Sequence, residues 1–429
     1  MTMVQNVMPE ITNTNPVRPD GQRKRLLFIH RGLIPPSPNK ELDRFTYLSQ
    51  IAEGDVLLPV WWSSAKEVAP HLKDSFPTYR VGNFVYHMFL EYRYPGPLRP
   101  LARLLFFLRR GLQLHREKKF DVISSLGTNT TGFAALLLKW LTGAKLILEM
   151  QNVPENSYRY DKPNPGVWDA LKRWVTDGLL HLVGGGADCI KLLYPWQFER
   201  FPKLQGKRAA VFHAFVPVRR IAGEMQVEHA EEKYLLLVGH PWHTKGVDIL
   251  IRAFKKIAGQ FPDYRLILLG YYPDRQYLDE LAQGCPQIEF LKARPNEETR
   301  KIFAQCTVYV SASRTEAMGR VFFEAMAARK PIVAPAVGGI PHYVRDKENG
   351  LLFESENVED LAAKLVIILS SAELRARLAA RGYERVMSEL DESAFVESFR
   401  QMLESLQRQE SGVRSQESEV RSQKLADRR

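Results

Sequence analysis

Cysteine is scarce in this sequence. Cys189, Cys285 and Cys306 are the only three in 429 residues, an odd number without C-x-x-C spacing, which excludes a disulfide framework and speaks against structural zinc. Long apolar runs are missing as well. Met1 to Gln22 has no cationic start followed by an apolar stretch, and the run Phe133–Leu141 is short and interrupted by Lys139. The chain is therefore read as having neither signal peptide nor membrane span, in a reducing cytosol. Nor is there a D-x-D triplet, a G-x-x-x-x-G-K-[ST] loop, an H-E-x-x-H pair or a G-x-G-x-x-G turn. Kinase-like, zinc-hydrolase and dehydrogenase chemistries drop out.

What is present is ordinary globular composition. With 45% apolar and 25% charged residues, a wholly disordered or collagen-like chain is excluded, and the length suffices for two or three domains. The formal charge of +11 suits a phosphate-bearing ligand, an anionic membrane surface or a nucleic acid. The charge is spread thinly and no recognition module accompanies it, so no nucleic-acid partner is expected.

Short apolar runs alternate with amphipathic segments: Arg25–His30, Asp55–Trp61, Asp121–Ser124 and Lys145–Glu149, then Tyr234–Val238, Arg265–Gly270, Ile288–Leu291, Val308–Ser311 and Ile332–Ala334. Continuous apolar strands in a βαβ rhythm mean parallel sheets covered on both faces. The fold class expected is α/β, with two Rossmann-like doubly wound domains facing across a cleft. Their bounds are 23–216 and 233–390, joined by a charged linker at 217–232, with a helix at 391–407 crossing back to the first domain. Residues 1–22 and 408–429 are read as disordered tails, the latter with Val413-Arg-Ser-Gln and Val420-Arg-Ser-Gln repeated. Gly184–Gly186 precedes a strand and reads as a helix-ending turn.

Two segments carry chemistry. Lys245 stands near a helix start, where the dipole disfavours a cation. It is either a solvated surface lysine or, with free helix amides and the close approach that Gly246 allows, part of a phosphate site. In the second segment Glu316 lies in a strand-to-helix loop and Glu324 in the helix, flanked by Phe322, Phe323 and Met326. A carboxylate in that setting needs donors. Sugar and ribose hydroxyls would serve, and so would an arginine such as Arg320.

The block from Gly239 to Phe353 resembles the donor half of retaining glycosyltransferase family 4, which has the GT-B fold. Its hallmarks stand as Lys245-Gly246, Glu316-Ala-Met-Gly-Arg-Val-Phe-Phe-Glu324-Ala-Met-Ala, Pro331-Ile-Val-Ala-Pro-Ala-Val-Gly-Gly339 and Asn349-Gly-Leu-Leu. The resemblance implies transfer of a hexosyl group from a nucleotide diphosphate sugar to a hydroxyl of a glycan or lipid-linked acceptor. It further implies retention of configuration, no metal and no other cofactor, and a setting in cell-surface polysaccharide or glycolipid synthesis. Glu316 and Lys245 would be catalytic. His240, Gly246, Met318, Gly319, Arg320, Val321 and Glu324 would bind the donor, with the diphosphate on Lys245 and the ribose on Glu324.

Three departures accompany the match. His240 replaces the arginine usual beside Lys245, which loses permanent charge. The first loop, from Arg31, lacks the common double glycine. Gln151, beside Asn152 on the acceptor side, replaces a frequent histidine. A nucleotide-sugar epimerase of the same fold and a non-catalytic nucleotide or glycan binder are the alternatives. Finally, Leu98–Lys119 mixes arginine with apolar residues. It suits either a peripheral contact at the inner face of the membrane, with Phe106 and Phe107 inserted, or a core-packed helix with snorkelling arginine stems.

Overall fold

The apolar runs fold as strands. In the first half these are β1 (Lys24–Ile29), β2 (Ala52–Val60), β3 (Thr78–Val81), β4 (Phe84–Leu90), β5 (Val122–Leu126), β6 (Lys145–Glu149), β7 (Cys189–Leu192) and β8 (Ala209–Val211). In the second half they are β9 (Tyr234–Val238), β10 (Arg265–Gly270), β11 (Ile288–Lys292), β12 (Val308–Val310), β13 (Ile332–Pro335) and β14 (Leu351–Phe353). The computed structural model describes residues 23–32, 43–60, 78–91, 94–151, 166–225, 232–273, 275–294 and 296–406. Both tails, with the Val413 and Val420 repeat, lie outside the described residues, as does Asn152.

The strands make an eight-stranded sheet in the order β3-β4-β2-β1-β5-β6-β7-β8 and a six-stranded sheet in the order β11-β10-β9-β12-β13-β14. All pairings are parallel except β3 with β4, so the α/β expectation of two Rossmann-like sheets holds. In each sheet the strand order reverses at one point, between β1 and β5 and between β9 and β12. Ligands of open α/β sheets bind in the crevice beyond the carboxyl ends at such points.

The crossovers β4 to β5, β5 to β6 and β6 to β7 all step the same way across the first sheet. Right-handed connections therefore put the helices Arg99–Lys118, Thr130–Thr142 and Val167–Gly186 on one face. The Arg99–Lys118 helix buries Phe106, Phe107, Gly111 and Leu114. This corrects the reading in which Phe106 and Phe107 enter a membrane: they sit in the core, Phe106 stacked 5.0 Å from Phe89 of β4. Gly184–Gly186 end their helix just before β7, as the sequence suggests, and a Cβ on Gly186 would come within 2.4 Å of Leu136.

The other face is covered by the short helix Arg44–Leu48 and by residues 392–406. Phe395, Val396, Phe399, Met402, Leu403 and Leu406 bury themselves with Leu26, Phe28 and Phe45, so the end of the described chain returns to the first sheet. Each such large apolar side chain contributes about 1.5–3 kcal/mol. The stretch read as a charged linker, 217–232, differs from a bare connection. Val218–Met225 is a helix burying Val218, Ile221, Ala222 and Met225. Those positions follow helical spacing, but Arg219, Arg220 and Glu224 on the open side mask it in composition.

Candidate functional site

At the reversal point of the second sheet, two loops meet. One follows β9 and leads into the helix Val247–Ile257; the other follows β12 and leads into Arg320–Ala327. The first helix forms because Val247, Leu250, Ile251, Phe254 and Ile257 give it one buried stripe. It opens at Gly246, whose φ is +63° and where a Cβ would come within 1.8 Å of the Ala312 carbonyl oxygen. Only glycine lets the two loops touch there.

Arg314 locks the loops together. Its guanidinium donates to both carboxylate oxygens of Asp248 at 2.9 Å and to the carbonyl of His243 at 2.6 Å, and its backbone amide donates to Thr244 at 2.9 Å. Bidentate pairs of this kind are among the stronger polar contacts. Neither Arg314 nor Asp248 was singled out in the sequence, since no local pattern links residues 66 apart.

On this platform Lys245 Nζ meets Glu316 Oε2 at 2.6 Å, with 24% and 17% of the two side chains exposed. The stem of Lys245 runs past Gly239, where a Cβ would lie 3.1 Å from its Cγ. Gly319 caps the Arg320–Ala327 helix at φ +69°, so the amides of Arg320 and Val321 start a helix that cannot itself satisfy them. His240 is exposed, its ring 6.1 Å from that of Tyr271.

Glu324 is held differently. Burial pushes its carboxyl above the ordinary range, and the charges of Arg320 and Arg300 only partly offset this. Among the described residues its side chain makes no ion pair, so the Arg320 partner considered from sequence is a neighbour in the field and not a contact. Arg300, from the helix Asn296–Gln305, is engaged with Glu224. Nothing in the sequence pointed to it. A half-sealed carboxylate without a fixed donor is suited to accept hydroxyl hydrogen bonds.

The loop carrying Glu316 is also pinned from behind. Gly338 has φ +51°, and a Cβ there would lie 1.9 Å from the Glu316 carbonyl; the Gly339 amide donates to that same oxygen at 3.0 Å. Across the divide, Trp196 Nε1 donates to the Gly338 carbonyl at 2.9 Å, and the Ala214 amide contacts the sulfur of buried Met318 at 3.1 Å. Met318 thus turns its side chain to the first half.

Lys245, Gly246, Glu316, Gly319, Arg320, Val321 and Glu324 therefore gather at one sheet edge. Gln151 stands in the other sheet, half-buried just past β6. The first sheet has its own charged cluster, which sequence reading missed. Glu149, fully buried at the end of β6, accepts from Arg44 at 3.1 Å and from Ser124 at 2.8 Å, and lies 3.7 Å from Lys191. Burial pushes Lys191 down to about 8 against the pull of Glu149, and holds nearby His30 at about 3, neutral. Glu149 ends below the ordinary range because Arg44 and Lys191 outweigh its burial.

Comparison with known proteins agrees with this geometry. Residues 223–385 match the family model described as glycosyl transferases group 1. The chain is 32% identical over 173 residues to an uncharacterized glycosyltransferase of Methanocaldococcus jannaschii, covering 40% of this chain and 48% of that one. It is 29% identical over 225 residues to the lipopolysaccharide core biosynthesis glycosyltransferase LpsE of Rhizobium meliloti, covering 51% and 64%. The match thus spans about half to two thirds of those relatives.

Solved structures reproduce nearly the whole fold. Sucrose-phosphate synthase from Thermosynechococcus elongatus superposes with a TM-score of 0.69 at 17% identity, covering 90% of this chain and 99% of that one. Anabaena HepE, solved in complex with UDP and glucose, gives 0.63 at 17% identity over 89% and 100%. The architecture is GT-B.

Proposed function

We propose that the protein is a retaining hexosyltransferase, independent of metal, that takes its sugar from a nucleotide diphosphate donor and hands it to a glycan or lipid-linked hydroxyl acceptor. The observation that carries this reading is the meeting of Lys245 and Glu316 at 2.6 Å over the carboxyl edge of β9 and β12, with a glycine-capped helix start beside them. The lysine and glutamate now compensate one another. A diphosphate placed at the helix start would draw Lys245 to itself and free Glu316 for the sugar.

Charge then has somewhere to go. As the bond from sugar to diphosphate breaks, negative charge grows on the leaving oxygens, where Lys245, once drawn off Glu316, would meet it together with Arg320 and the first amides of Arg320–Ala327. Preorganised donors of this kind stabilise the transition state more than the ground state. Glu324, one turn further on, would accept from the ribose hydroxyls. Gln151 and Asn152 would face the acceptor. The likeness to lipopolysaccharide-core and UDP-binding relatives supports a cytoplasmic role in cell-surface polysaccharide or glycolipid synthesis.

The deciding experiment is thermal unfolding with UDP, GDP and ADP. One nucleotide at about 100 times its dissociation constant should stabilise the protein by roughly 2.7 kcal/mol. If none does at millimolar concentration, the donor-site reading is refuted.

A further inference from the structure

The helix Val218–Met225 stands where the chain passes from the first sheet to the second, and its two ends are attached differently. At its start Arg219 is latched to the return crossing: Nε donates to Asp391 at 2.7 Å and the backbone amide to Glu392 at 3.2 Å, both acids being buried. With Val218, Ile221, Ala222 and Met225 buried, the helix packs against Asn296–Gln305, Arg320–Ala327 and Ala372–Ser388. Near its end Glu224 is held by two arginines. One oxygen accepts from Arg220 Nε at 2.7 Å, one turn back, and the other meets Arg300 of Asn296–Gln305.

Two acids compete for Arg300. Its charge acts on Glu324 and that of Glu324 acts on it, yet the ion pair it makes is with Glu224. The other groups that face Glu324 are Arg320, four residues earlier on the same helix, and Tyr309 of β12, whose hydroxyl burial keeps protonated. Ala372–Ser388 also packs on that helix, but its Arg377, Arg381 and Arg385 are taken up by the Lys347 carbonyl, Glu384 and Glu389. β13 brings no charged side chain. A guanidinium fork pairs readily with either of two carboxylates, and a largely buried one left without an acid is costly. Only 19% of the Arg300 side chain is exposed, so without Glu224 it would turn to Glu324.

We propose that Glu224 is a positioning residue: by holding Arg300 it keeps the Glu324 carboxylate open to the hydroxyl donors of a ligand. That those donors are the ribose hydroxyls of a nucleotide rests on the glycosyltransferase reading; the placement of Arg300 does not. The helix that carries Glu224 is also the one latched to Asp391, so the state of this carboxylate is set from the point where the two halves are joined.

The first test needs no nucleotide. Burial holds the Glu324 carboxyl above its ordinary range, so the folded protein keeps this proton to a higher pH than the unfolded chain, and the group's contribution to stability falls as pH rises between the two values. Urea unfolding from about pH 4 to about pH 7, each variant set against the same variant carrying Glu324→Gln, reads that fall. In Glu224→Gln it should shrink or reverse, because Arg300 moves onto the carboxylate; in Arg300→Met it should grow. A pair of merely structural worth would move both variants the same way. The second test is titration calorimetry with UDP, GDP and ADP at neutral pH. Glu224→Gln should weaken the nucleotide that binds wild type about tenfold, as lost hydrogen bonds to a charged group do. Adding Arg300→Met should restore most of that loss, a coupling that independent sites do not show. If no nucleotide binds wild type, the donor-site reading fails, and the unfolding result alone decides the placement of Arg300. Equal pH courses in Glu224→Gln and wild type overturn the proposal, and so does a double variant that binds as weakly as Glu224→Gln.

Discussion

Each half of the molecule sets a lysine against a glutamate at the carboxyl ends of its strands, and the two pairs are built in opposite ways. Lys245 and Glu316 come from loops and keep 24% and 17% of their side chains in water. Lys191 and Glu149 come from the strands β7 and β6 and keep 1% each, enclosed by Arg44, Ser124 and the ring of Phe212. A loop pair open to solvent can part and take a new partner at small cost. A sealed pair cannot, because each charge would be left buried alone. The first arrangement suits ligand exchange; the second fixes a sheet.

The contrast should break most visibly at the sealed pair. Glu149→Leu strands Arg44 and Lys191 and should cost about 3–5 kcal/mol in urea unfolding; a cost under about 1 kcal/mol would put Glu149 in the class of open surface pairs. At the open pair the effect moves from stability to rate. Lys245→Ala should lower kcat about 10²–10³-fold with nearly unchanged unfolding, and wild-type turnover in a sugar-transfer assay would remove Lys245 from the chemistry. Glu324→Ala should weaken nucleotide binding about tenfold, or about 1.4 kcal/mol by titration calorimetry, and an unaltered Kd would discard its contact with ribose.

The smallest effect sharpens the comparison through pH. Lys191 holds its proton less tightly folded, at about 8, than it does unfolded. Unfolding therefore takes up a proton between about pH 8 and the ordinary lysine value near 10.4. Across that window wild type should gain stability relative to Lys191→Met, measured by urea unfolding at its two ends. A difference that shrinks with rising pH would mean that Lys191 is not sealed.

The same contrast explains what could be read from sequence. Lys245-Gly246 and the run from Glu316 to Glu324 are local: turn, helix start and carboxylate lie within a few residues, so the segment itself states the geometry. The alternation of apolar runs gave the sheets for the same reason, and missed β3, β4 and β8, where Tyr79, His87 and Arg208 dilute or border the pattern, and β14, which is only three residues long. Arg44, Glu149 and Lys191 form one cluster from positions 105 and 42 residues apart, and no spacing announces it. The Leu98–Lys119 segment failed in another way. It has apolar residues on two faces, and composition cannot tell which face the sheet claims; the sheet took Phe106 and Phe107 and left Leu98, Leu101 and Leu105 outside.

One contact described above has a bearing on how two substrates sense each other. Trp196 in the first half holds the Gly338 carbonyl, and the next residue, Gly339, holds the backbone of Glu316. A ligand that displaces the first half against Gly338 therefore does work on Glu316, the residue proposed to face the sugar. Equilibrium binding is reciprocal, so the donor must change that ligand's affinity by the same factor as the ligand changes the donor's. Trp196→Phe would keep most of the packing and remove the hydrogen bond. On the proposed reading, the affinities of the two substrates would then depend less on one another, with a coupling factor nearer one.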